Sequence, residues 1–288
     1  MLGIDLALEL HKEYTLYGLD VVHSPLSKVH RFRRCDITDT AQVRRAAAAA
    51  RPAVVIHTAA WTDVDGCELD KKKAYRINSE GTKNVARACK VEGATAIYIS
   101  TDFVFDGKKH RPYRESDRTG PLGVYGDSKL RGERALQRMM KEYYILRTSW
   151  LFGPYGKNFV DTVIEKAGTE RVLKVVRDQV GSPTYTKDLA KAIRVLVEKI
   201  FAGHEMYGVY HVSNSGTVSW YSYAREIVRL AGVDNGKVVP ITSRELARPA
   251  QRPRMSVLDN SKFTNTIKFR MRHWRKALED FIALRLKG

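Results

Sequence analysis

Tyr125 and Lys129 stand four residues apart in the run Tyr125-Gly126-Asp127-Ser128-Lys129. On a helix that spacing puts both side chains on one face, about one turn from each other. A phenol beside an ammonium suits proton transfer at a carbonyl. The positive charge favours the phenolate and draws the tyrosine pKa down from about 10 towards the working range. Exposed helices carry many such pairs, so the spacing alone identifies little. The segment upstream sharpens it: Ala96-Ile97-Tyr98-Ile99-Ser100-Thr101 is a hydrophobic strand ending in a hydroxyl pair. The order is a strand, a Ser/Thr tip, a loop and then the Tyr/Lys helix.

Other elements must hold that pair in place. Short apolar strands alternate with helical patterns through the first two-thirds of the chain. Tyr14 to Leu19 reads as a strand, Thr40 to Ala50 as an alanine-rich helix, and Ala53 to His57 as a continuous apolar run suited to a buried parallel strand. Lys71 to Glu92 reads as one long helix closed by Gly93. The Tyr125 helix runs to about Glu142, and Tyr144 to Thr148 forms the next strand. This alternation predicts an α/β fold with a Rossmann-like, doubly wound parallel sheet over residues 1–150. Later, Thr186 caps a helix through Phe201, and Ser219 caps one ending before Gly232. A terminal helix follows from His273. Residues 151–288 are read mostly as a small C-terminal substrate lobe, with a strand near 207–213 returning to the sheet.

Composition narrows the class. The 288 residues can bury a substantial core, and no run approaches the roughly 20 apolar residues of a membrane span. The start, Met1 to Leu10, carries acidic residues and no basic leader, so no signal peptide is expected. Cys35, Cys67 and Cys89 are odd in number and lack metal-ligand spacing. A cytoplasmic protein with reduced thiols, no membrane partner and no metal site within the chain is expected. The formal charge of +18 is spread along the whole length. That distribution argues against nucleic acid and fits an anionic small substrate drawn to a positive cleft.

Strand, hydroxyl tip, loop and Tyr-x-x-x-Lys helix resemble the layout of the short-chain dehydrogenase/reductase superfamily. More landmarks resemble one of its extended families, the dTDP-4-dehydrorhamnose reductases. They run in order from Leu2-Gly3 with Asp5-Leu6, through Cys35 to Asp39 and His57 to Asp65, to Ser100 to Gly107 and Tyr125 to Lys129. Beyond these lie Arg147 to Gly153, Gly156 to Phe159, Asp178-Gln179 with Gly181 to Thr184, and Arg252-Pro253 with Ser256 to Asp259.

The resemblance implies reduction, by NADPH or NADH, of the C4 ketone of dTDP-4-dehydro-6-deoxy-L-mannose to dTDP-L-rhamnose, a precursor of cell-surface polysaccharide. Tyr125 would be the proton donor, Lys129 its partner and a ribose ligand, and Thr101 the hydroxyl that orients the sugar carbonyl. Asp102, Trp150, Asn158 and Arg252 would meet the substrate, Arg252 at the diphosphate. Leu2 and Gly3, Asp36 and Ile37, and Ala59, Ala60, Trp61 and Thr62 would hold the cofactor, with Asp20 at its ribose. Each has a plainer alternative: Trp150 as core, Asp20 as a turn residue, Asn158 as a cap, Arg252 as a surface charge. The resemblance also implies a homodimer, in which a divalent ion such as magnesium can sit at a subunit contact.

The family opens with a strand and a Gly-x-x-Gly-x-x-Gly turn whose amides hold a pyrophosphate. Only the last of these glycines, Gly3, is found here. The expectation is a sheet lacking its first strand, with weakened cofactor binding. A competing reading is a non-catalytic relative, the regulatory β subunit of methionine adenosyltransferase, which shares the fold and the Tyr-x-x-x-Lys region.

Overall fold

The structure, a computed structural model, describes residues 1–22, 31–233 and 236–286. The chain opens with helix α1 (Leu2–Leu10), strands β1 (Tyr17–Asp20) and β2 (Arg31–Arg34), helix α2 (Thr40–Ala50) and strand β3 (Val54–His57). Helices α3 (Val64–Leu69), α4 (Lys71–Tyr75) and α5 (Thr82–Glu92) precede strand β4 (Thr95–Thr101), helix α6 (Val124–Met139) and strand β5 (Tyr143–Thr148). Next come β6 (Leu151–Phe152), α7 (Phe159–Thr169), β7 (Val172–Val176), β8 (Val180–Gly181), β9 (Thr184–Tyr185), α8 (Thr186–Phe201) and β10 (Gly208–His211). The chain closes with β11 (Val218–Ser219), α9 (Trp220–Ala231), β12 (Lys237–Ile241), α10 (Ser243–Leu246), α11 (Ser261–Ile267) and α12 (Trp274–Leu286).

Four parallel strands form the main sheet in the order β10-β5-β4-β3, and β1 pairs with β2 as a separate parallel ribbon. β4 lies inside the sheet and all seven of its residues are buried. Its side chains alternate between two cores, as a pleated strand requires. Ile97 and Ile99 face a cluster built with α1, α8 and α11, while Ala96 and Tyr98 face one built with α2, α5 and α6. Helices on both faces make the fold the doubly wound α/β class that alternation predicts. Among the described residues β3 pairs only with β4, and Val54, Val55 and Ile56 are half-exposed.

A third cluster joins α7, α9, α12, β7 and β12 around Tyr223, Phe281 and Trp274. This second core is carried by residues beyond 151, whereas α8, β10 and α11 from the same stretch pack on the sheet. α7, α11 and the parallel pair β7-β12 are elements that the sequence reading did not place. The expected single helix from Lys71 to Glu92 is instead interrupted by a π-helical turn, Arg76–Gly81. That turn aims Asn78 inward. Its amide donates to the Trp61 carbonyl and to Ser128 on α6, while its oxygen accepts from Trp61 N–H.

Candidate active site at the carboxyl edge of the sheet

Thr101 ends β4, and its register partner Thr148 ends β5, so both strand tips open on the same edge. Helix α6 brings Tyr125 to that edge. Its first turn touches the loop after β4 so closely that a Cβ on Gly126 would lie 2.1 Å from the Phe103 carbonyl oxygen. The Phe103 ring meets Tyr125 edge-on at 5.6 Å. The Thr101 hydroxyl accepts from Phe103 N–H at 3.2 Å and donates to Asp102 Oδ1 at 3.1 Å. The Tyr125 phenol lies close enough for both residues to influence its pKa, so the three are neighbours at the strand tip.

Lys129 is buried one turn along α6, and Nζ donates to the Ile99 carbonyl at 2.7 Å above the Tyr98 ring. One turn further, Glu133 is bound through both oxygens by Arg147, at 3.0 and 2.7 Å, and also accepts from Ser100. Arg147 lies over the Phe105 ring.

Electrostatics here differ from the expectation that Lys129 depresses the Tyr125 pKa. Burial pushes the Tyr125 phenol above its ordinary value, with the neighbouring Thr101 hydroxyl opposing, and burial draws Lys129 down to about 7, with Glu133 opposing. Both groups are taken out of water, and each charged form loses its hydration. Tyr125 consequently holds its proton, which is the state a general acid requires. Burial also raises the Asp102 carboxyl to about 7, with the neighbouring Ser256 and the Thr101 hydrogen bond opposing.

The residues assigned to the substrate divide. Asp102 joins the central group. Trp150 follows the tip of β5, half-buried, with φ at 47° and its indole stacked on Trp220 at 3.5 Å. A Cβ on Gly181 would come within 2.5 Å of that indole. The Asn158 amide donates to the Gly153 carbonyl and to Asp161, and its oxygen caps α7 at Asp161 N–H. Its polar atoms are spent inside the chain. Arg252 grips Asp65 with its two terminal nitrogens at 3.0 and 2.9 Å and also lines a groove. That groove holds about 990 Å³, and its basic lining includes Lys108, Lys109, Arg244, Arg248 and Arg254. Tyr125 and Lys129 do not line it.

The residues expected to hold a cofactor lie in four segments. A Cβ on Gly3 would sit 3.5 Å from Thr58 Oγ1, so the start of α1 lies against the loop after β3 that carries Ala59, Ala60, Trp61 and Thr62. Leu2 is buried, and no side chain caps the first turn of α1. Ile37 packs against Gly81 of the π-helical turn, and Asp36 receives Thr38 N–H. Asp20 is exposed at the end of β1, where its carboxylate accepts from Val22 N–H in a turn. Backbone amides at a helix start, a loop of small residues and a carboxylate at a strand end are the donors and acceptors a dinucleotide needs. The residues present fit that group.

Nothing in the sequence marks Asn78, Glu133 or Arg147 as site residues. Each acts through partners 14 or more positions away. Among the described residues, no group of three or more His, Cys, Asp or Glu side chains is placed to hold a metal, and no helix is long and apolar enough to cross a membrane. The three cysteines are buried and free.

Residues 1–286 match the family model described as the RmlD substrate binding domain. A dTDP-4-dehydrorhamnose reductase of Streptomyces griseus is 47% identical over 86% of this chain and 83% of its own length. The crystal structure of such a reductase from Clostridium acetobutylicum superposes with a TM-score of 0.87 at 38% identity, covering 99% of this chain and 96% of that one. Another, from Bacillus anthracis in complex with NADP, gives 0.85 at 35% identity, covering 97% and 95%.

Proposed function

The chain belongs to the RmlD family of dTDP-4-dehydrorhamnose reductases, and on that footing we propose that it reduces the C4 ketone of dTDP-4-dehydro-6-deoxy-L-mannose to dTDP-L-rhamnose. The observation that carries the reading is the start of α6 packed on the loop after β4, which sets Tyr125 beside the Thr101 strand tip with Lys129 one turn away. When bound, the reduced nicotinamide supplies hydride to the carbonyl carbon. Leu2, Gly3, Asp36, Ile37 and residues 59–62 would hold it, with Asp20 placed for a ribose hydroxyl. Thr101 orients the carbonyl oxygen, and Tyr125 gives it a proton as negative charge develops there. Lys129, one turn along α6 and anchored on the Ile99 carbonyl, supplies the cation of the site and a ligand for the cofactor ribose. Trp150, fixed between Gly181 and Trp220, offers an apolar face to the 6-deoxy sugar. The basic groove beside Arg248 and Arg254 suits the diphosphate.

We assign the enzyme to the cytoplasm, as a homodimer, with either nicotinamide as donor. Incubation of the purified chain with the keto sugar and NADPH or NADH tests the reaction. Nicotinamide oxidation matched by formation of dTDP-L-rhamnose is expected. No turnover, together with capture of a methionine adenosyltransferase catalytic subunit, would instead identify the regulatory relative. Light scattering tests the dimer.

A further inference from the structure

We propose that Glu68 is a positioning residue for Tyr125: its carboxylate, reaching across from α3, holds the first turn of α6 where the proton transfer needs the phenol. The inference rests on the reductase reading and adds a residue to it.

The start of α6 needs such a hold. The first N–H groups of a helix have no partner within it, and a side chain at the N-cap usually supplies one. Here the N-cap is Gly123, which has no side chain to offer. Glu68, 56 positions upstream, takes the place of that cap, and its Oε2 accepts from Val124 N–H at 2.9 Å. Val124 directly precedes Tyr125, so the bond fixes the backbone from which the phenol projects. Glycine is what lets the carboxylate in, since a Cβ at position 123 would stand 3.1 Å from Oε2. The negative charge also lies at the positive end of the α6 dipole. Oε1, the other carboxylate oxygen, faces the exposed Lys71 at 3.8 Å, so the inner oxygen carries the tie.

The rest of α3 is anchored on both sides of the site. Asp65 accepts from Ala250 N–H at 3.1 Å and pairs with Arg252, and both of those residues line the basic groove. Cys67 is buried with Val124 in a small cluster that Trp61 and Tyr125 pack against, and its thiol lies 3.5 Å from the Trp61 carbonyl. Helix α3 therefore joins the loop after β3, the groove and the Tyr125 helix, and Glu68 makes its hydrogen bond to that helix. The Phe103 carbonyl against Gly126 sets a limit on close approach, and the Glu68 bond supplies a hold.

Glu68→Ala is expected to lower kcat about tenfold and to change KM for either substrate less than about twofold, because a loosely held phenol loses its reacting geometry while the binding contacts stay. In a Tyr125→Phe background the same substitution should change kcat less than about twofold, since Glu68 acts through the phenol. Adding Gly123→Ser to Glu68→Ala puts a local cap on α6, on extended backbone and in space the carboxylate has left, and should restore most of kcat. Glu68→Asp keeps the charge but falls one methylene short, so a loss in the same direction is expected; it carries the test if the Ala variant does not fold. Amide exchange at residues 124–127, faster in Glu68→Ala while β4 is unchanged, reads the hold without turnover. A loss of Tm with kcat intact, or effects of Glu68→Ala and Tyr125→Phe that multiply, overturns the proposal. Should the parent not reduce the keto sugar, the reductase reading fails, and unchanged exchange at 124–127 would overturn the hold on α6 itself.

Discussion

Arg147 and Glu133 form an ion pair with side-chain exposures of 5% and 1%, tied by two hydrogen bonds and joined by Ser100. Replacing Arg147 with Met keeps much of the volume over Phe105 but leaves the Glu133 carboxylate with Ser100 alone. Breaking a buried pair in this way costs about 3–5 kcal/mol, chiefly because one charge stays behind without its partner. In a chain of this size each kcal/mol moves Tm by about 2 °C, so the loss is roughly 6–10 °C. The double variant Glu133→Met with Arg147→Met removes both charges and should recover most of it, to within about 1–2 kcal/mol of the parent. Urea unfolding at an unchanged m-value, with calorimetry alongside, measures both variants. A single variant within about 1 kcal/mol of the parent, or a double variant whose loss equals the sum of the two single losses, would refute the reasoning. There is a kinetic consequence too. Glu133 is the group that opposes the fall of the Lys129 pKa. Without that carboxylate the ammonium is lost at lower pH, and the falling limb of the rate profile moves to lower pH.

Tyr125→Phe should lower kcat by about 10² or more with the Tm within about 2 °C, read by nicotinamide absorbance and calorimetry. Gly181→Ala drives a methyl into the Trp150 indole and should raise KM for the nucleotide sugar several-fold, more than it lowers kcat; a change in Tm with KM intact would make Trp150 a packing residue. His57 and His211 are buried and depressed to about 3 from an ordinary value near 6.5. Their neutral forms are native, so the unfolded chain binds more protons below pH 6.5, and stability falls as pH drops from 6.5 towards 3. His57→Gln should flatten that slope in acid-unfolding curves. Asp65→Asn removes the carboxylate that grips Arg252 and should loosen residues 249–256, seen as faster amide exchange there while β4 is unchanged.

The placing of Tyr125, Lys129 and Thr101 at one edge was legible because its geometry is local. Helical period places Tyr125 over Lys129, and an apolar strand must deliver its last residue, Thr101, to the carboxyl edge of a parallel sheet. What was not legible depends on contacts remote in sequence. Arg252 reads as a free cation until Asp65, 187 positions away, is seen beside it. Asn158 carries the same amide whether it meets a sugar or caps a helix; only the turn that begins at Phe159 decides. The π-helical turn in Arg76–Gly81 has no composition of its own, since it answers to Asn78 reaching Trp61 and Ser128. The direction of the Tyr125 and Lys129 shifts also lay outside the sequence, because spacing gives proximity and not the depth at which both are buried. The strands β7 and β12 stabilise one another across more than 60 residues, and neither shows a strong alternating pattern.

Residues 249–260 cross from the second core to the edge of the sheet. They pair Met255 with Val180, place Ser256 beside Asp102, and set Leu258 against Tyr113. The chain can form these contacts only after most of it has been synthesised, since Arg114 meets Asp259 across 145 residues and Asp65 meets Arg252 across 187. Closing loops of that length is entropically late and slow. The pocket beside Asp102 therefore stays open until this segment arrives, and so does the core under the sheet, which waits for α11 just beyond it. A chain cut short before residue 249 should lack both, and added residues 249–267 would close them together.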